Sequence, residues 1–69
     1  MEKSPVGKER PAVELAGQSG NAFFIIGRVQ KALRKAGYTP EEIERYRDDA
    51  TSDDYDHLID VTSRWVEVQ

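Results

Sequence analysis

Two stretches of the chain hold the residue types from which a site could be built. DDATSDDYDH, residues 48–57, places five aspartates within nine residues beside Tyr55 and the only histidine, His57. GQSGNAFFIIGRV, residues 17–29, sets Gly17, Gln18, Ser19, Gly20 and Asn21 ahead of an apolar run. Such a turn leads backbone N–H groups toward a phosphate or carboxylate at a helix start. Clustered aspartates suit a hard cation, yet the EF-hand loop needs a glycine at its sixth position and a glutamate at its twelfth, and both are missing. With no cysteine in the chain, zinc would have His57 and carboxylates alone. No metal is therefore expected. Asp53, Asp54 and Asp56 are accounted for as acids at the positive end of a helix, with Tyr55 in the core and His57 solvated.

The glycine turn is not a nucleotide loop of a known kind. GxxxxGK[ST] and GxGxxG are both absent, and no cofactor is implied. Ser19 or Asn21 is a competent N-cap, and Gly17 and Gly20 allow the chain to turn into the helix. One feature favours a ligand: Asn21 to Phe24 contains no acid, which leaves the first-turn N–H groups open to an outside anion, with Arg28 one to two turns further on to assist. Nucleophilic chemistry has less support. His57 has no cysteine to activate, Ser52 and Ser63 form no nucleophile motif, and so small a core would struggle to enclose a carboxylate pair. An enzyme is not expected. The candidate ligand- or partner-binding residues are Gln18, Ser19, Gly20, Asn21, Arg28, Tyr55, Asp56 and His57.

Three helices and two short strands would have to position these residues, in the order β-α-α-α-β, an α+β domain that is mostly α. Val13 and Leu15 alternate with Glu14, and Val66 and Val68 with Glu67, so the first strand is expected to pair with the last. A two-stranded pair is marginal alone and must lean on the helices between. The first helix carries Ala22, Ile25, Ile26, Val29, Ala32, Leu33 and Ala36 on one face, and Arg28, Lys31, Arg34 and Lys35 on the other. Gly37 is placed to end it, with Tyr38 folding back over Leu33. Thr39, Pro40 and Glu42 then spell a capping box, with Tyr38 stapled to Ile43, and the second helix continues through Tyr46 and Ala50. A third helix starts near Ser52 or Asp53, with Tyr55, Leu58, Ile59, Thr62, Trp65 and Val66 as its inner stripe; Trp65 is expected against the first helix. Short connections favour an up-down-up path, which would bring Ser19, Gly20 and Asn21 to the same end as Ser52, Tyr55, Asp56 and His57.

Residues 1–11, with two prolines, a glycine and five charges, read as a mobile tail ahead of a single domain at 12–69. At 69 residues, 38% hydrophobic and 33% charged, the composition is that of a small soluble domain. No apolar run is long enough to span a bilayer, and Met1 to Arg10 is too polar for a signal peptide, so a cytoplasmic location is expected. If the core proves too small, self-association is the remaining way to gain burial. The net charge of −3 is divided unevenly. Residues 1–47 carry nine Lys/Arg against six Asp/Glu, and residues 48–69 one against seven. LRKAGYTPEEIERYR has the outline of a helix-turn-helix, but Glu41, Glu42 and Glu44 would meet DNA phosphates, which disfavours DNA binding.

GNAF, IIGRV, KAL, the AG turn, EEI, ATS, DYDHL and the terminal WVEV, spread over residues 14–68, resemble a family of small, largely uncharacterised proteins of phages and bacterial mobile elements. Asp53 stands where that family carries glycine. The resemblance implies a small accessory or counter-defence protein inside a bacterial cell, and a bacterial host or phage protein as partner. Two functions follow: a protein-interaction or inhibitory module using the basic face of the first helix or the acidic segment after Asp48, or a binder of a small anion or nucleotide at the 17–21 turn.

Overall fold

The computed structural model describes residues 3–15 and 21–69. They form β1 (Ala12–Val13), α1 (Ala22–Lys35), α2 (Pro40–Ala50), α3 (Tyr55–Trp65) and β2 (Glu67–Val68). This is the β-α-α-α-β order anticipated from periodicity. The strands pair in parallel, Ala12 opposite Glu67 and Val13 opposite Val68. The Leu15 N–H extends the ladder to the Gln69 carbonyl at 3.1 Å. Val66 does not join it, contrary to the expected pairing of Val66 and Val68 with Val13 and Leu15. It is the C-cap of α3 and fully buried, so its place is fixed by the core.

The junction of α1 and α2 follows the sequence closely. Gly37 takes a φ of +92°, open to glycine at little cost, and its N–H reaches the Arg34 carbonyl while the Tyr38 N–H reaches that of Leu33. The Thr39 hydroxyl accepts the Glu42 N–H at 3.2 Å, and the Glu42 carboxylate accepts the Thr39 N–H at 2.8 Å. Both halves of the capping box are thus formed. Tyr38 and Ile43 are buried on either side of it.

Ile25, Val29 and Leu33 of α1, Ile43, Tyr46 and Ala50 of α2, and Leu58, Val61 and Trp65 of α3 make the core with Val13, Tyr38 and Val66. Trp65 sets its ring 6.1 Å from that of Tyr38 and 5.8 Å, edge-on, from that of Tyr46. The buried Tyr46 and Thr62 hydroxyls satisfy each other at 2.8 Å. Burial also pushes the Tyr46 phenol up to about 12. The inner stripe of α3 differs from the expected one. Val61 is buried, whereas Ile59 and Tyr55 are exposed. Ile59 and Val61 each lie three or four residues from other members of an apolar stripe, and only packing against α2 decides between them.

Residues 3–11, the described part of the stretch read as a tail, are packed against the helices. Lys3 pairs with Glu9 across a turn closed at Gly7, and Val6 rests on the core. The Lys8 ammonium lies 2.6 Å from the Glu42 carboxylate and 3.1 Å from the Gly37 carbonyl. That hydrogen bond, followed by the one from the Thr39 N–H, holds the Glu42 carboxyl below its ordinary range. The Tyr38 hydroxyl donates to the Glu9 carbonyl at 2.7 Å, and Arg10 donates to the Ser63 carbonyl at 2.8 Å. These partners lie 29 to 53 residues away in sequence, where local pattern carries no signal.

Candidate functional site

The Tyr38–Trp65 contact joins the C-terminal ends of α1 and α3, and α2 returns between them. The starts of α1 and α3 hold the residues singled out from the sequence. The residues there are engaged separately. Gln18, Ser19 and Gly20 lie outside the described residues. Asn21 is the N-cap of α1, and its side-chain oxygen accepts the Phe24 N–H at 3.2 Å. No acid occupies the first turn. Arg28 turns toward β1, where it donates to the Glu14 carbonyl at 3.4 Å.

At α3 the cap is Asp54, whose carboxylate accepts the His57 N–H at 2.9 Å, and the helix starts at Tyr55. The His57 ring is not simply solvated. Its Nε2 lies 3.0 Å from the Asp49 carbonyl, 3.3 Å from the Asp49 carboxylate and 3.2 Å from the Ser52 hydroxyl. A carbonyl can only accept, so an N–H on Nε2 satisfies this geometry. With Thr51 and Ser52, which donate to the Arg47 and Asp49 carbonyls, His57 closes the end of α2. Tyr55 and Asp56 remain at the surface, and Tyr55 is exposed where core had been expected.

The basic face of the first helix, offered in the sequence as a partner surface, carries aromatic neighbours and a strand wall that the sequence reading did not include. Beside β1, the outer face of α1 forms an open groove of about 660 Å³. Ala12, Val13 and Glu14 line one wall, and Phe23, Phe24, Gly27, Arg28, Lys31, Ala32 and Lys35 the other. Phe23 is 89% and Phe24 58% exposed, so two adjacent aromatics lie outside the core that Ile25, Val29 and Leu33 enter. Gly27 sits mid-helix between them and the cations. A Cβ built on it meets nothing within 4 Å among the described residues, so no packing there requires a glycine. Such a glycine costs a helix about 1 kcal/mol relative to alanine. Lys31 and Lys35 are exposed, and among the described residues neither has an ion-pair partner.

The groove has a chemical character that the capped ends lack. Aromatic rings and an arginine dominate the buried centres of protein interfaces, and a cationic rim selects an acidic partner. Two signals for it stood in the sequence: FF placed beside rather than within the apolar spacing, and a glycine in the middle of a helical stripe. No group of three or more His, Cys, Asp or Glu among the described residues is arranged to hold a metal. No described helix is long and apolar enough to cross a membrane. Comparison with protein-family models, with curated proteins and with solved structures found no match.

Proposed function

We propose that this protein is a non-enzymatic binding module that takes an acidic, amphipathic segment of a protein partner into the groove between β1 and α1. The observation that carries the reading is Gly27. It weakens α1, nothing among the described residues fills the space above it, and it lies between exposed Phe24 and the lysines. A partner approaching closely there gives the glycine a purpose. Phe23 and Phe24 would supply apolar contact, while Arg28, Lys31 and Lys35 set charge and register. The family resemblance suggests the setting, an accessory or inhibitory protein acting on a bacterial host or phage protein in the cytoplasm. A small anion at the start of α1 is the weaker reading, because Asn21 already fills one of the first-turn N–H groups.

The test is an amide chemical-shift titration with a synthetic amphipathic peptide rich in Asp, Leu and Tyr, set against its Lys-for-Asp counterpart and against oligodeoxythymidine. Shifts centred on Phe24, Gly27, Arg28 and Lys31 are expected with the acidic peptide alone. Replacing Phe24, Lys31 and Lys35 together by alanine should abolish them. Binding of the oligonucleotide in place of the peptide, or shifts confined to residues 48–57, would overturn the assignment.

A further inference from the structure

The chain itself carries a segment of the chemistry that this groove selects. Tyr55 and Ile59, one turn apart on α3, are 39% and 37% exposed, and Asp56 and Asp60 lie one residue beyond each. The outer face of α3 is therefore aromatic-aliphatic and acidic, where the outer face of α1 is aromatic and basic. Arg64 pairs with Asp60 at 2.8 Å and offsets part of that charge, but the two side chains remain 61% and 58% exposed. Residues 48–69 carry a net −6 against +3 for residues 1–47, so the field of the molecule points the same way as the local faces.

We infer that the α3 outer face of one copy docks into the α1 groove of a second copy, so that the protein associates with itself head to tail. This rests on the groove being a binding surface for acidic segments, and it names one occupant. The two faces are different surfaces, so the contact is heterologous: each copy that gives its α3 face keeps a groove free, and assembly continues or closes into a ring. Size allows this. The chain exposes 4637 Å², and a standard interface takes about 800 Å² from each partner, which leaves room for two such contacts per copy. Opposite charge across the contact makes the association weaken as salt rises. A foreign acidic segment would compete with the second copy for the groove, and assembly would fall as partner is bound.

Sedimentation velocity on the full chain and on two surface variants tests this. The groove variant replaces Phe24, Lys31 and Lys35 by alanine; the face variant carries Asp56→Asn and Ile59→Ser, and circular dichroism checks that both fold. Wild type should gain mass with concentration and lose that gain in high salt. Each variant alone should be monomeric, and a mixture of the two should give a 1:1 heterodimer, because a single intact groove then meets a single intact face. If either variant misfolds, Lys31→Ala or Asp56→Asn alone should still reduce the gain in mass. Wild type that stays monomeric, a mixture that stays monomeric, or a face variant that associates like wild type overturns the inference. Monomeric wild type that still binds the acidic peptide leaves the groove assignment standing. Peptide binding that survives the groove variant removes that assignment as well.

Discussion

The C-terminal end of α1 and its middle obey different rules. Around Tyr38 each side chain has an internal purpose: its backbone closes α1, its ring meets Trp65, its hydroxyl holds Glu9, and Lys8 ties the adjoining Glu42. Around Gly27 the chain forgoes helix stability, exposes two phenylalanines and leaves two lysines without ion-pair partners among the described residues. The first region is explained by folding alone. The second is not, and that remainder is where function is assigned.

The largest effect should come from breaking the well-explained end. Trp65→Ala removes the ring between Tyr38 and Tyr46 and should cost about 3–5 kcal/mol, enough to unfold much of so small a domain, as read by chemical denaturation. Alkali attacks the same contact. The folded Tyr46 phenol titrates at about 12 rather than 10, so its contribution is complete below pH 10 and is lost as pH rises from 10 to 12. Two pKa units correspond to about 3 kcal/mol, and denaturant midpoints across that window should fall accordingly. Deleting residues 1–10 removes the Lys8, Glu9 and Arg10 contacts and should cost about 1–3 kcal/mol, whereas a true tail would cost nothing. Thr39→Ala should cost about 1 kcal/mol through the lost N-cap. Thermal melts measure both, and neither change should affect peptide binding in the groove.

Local signals made the helices legible. Thr39-Pro40-Glu42 and Gly37-Tyr38 specify their geometry within a few residues, because caps are made of near neighbours. Periodicity then identified Ile25, Val29 and Leu33 as core. It could not choose between Ile59 and Val61, since both fit an apolar stripe and only the fit against α2 separates them. The packing of residues 3–11 was illegible for a plainer reason: Lys8 and Arg10 find partners set by the assembled fold. His57 misled in the same way, because its partner Asp49 belongs to the preceding helix. The groove lay in view as an unexplained glycine and two displaced phenylalanines, but its β1 wall exists only after the strands pair. Whether residues 17–20 hold an anion lies outside the described residues.

Gly27→Leu, melted with and without the acidic peptide, tests the central claim most directly. Among the described residues the space above Gly27 is open, and leucine favours helix over glycine by nearly 1 kcal/mol, so the variant alone should melt at or above the wild-type temperature. Its side chain would occupy the groove, so the upward shift that the peptide gives wild type should disappear. A lower melting temperature without peptide would mean that the fold needs this glycine. An undiminished shift with peptide would mean that the groove is not where the partner binds.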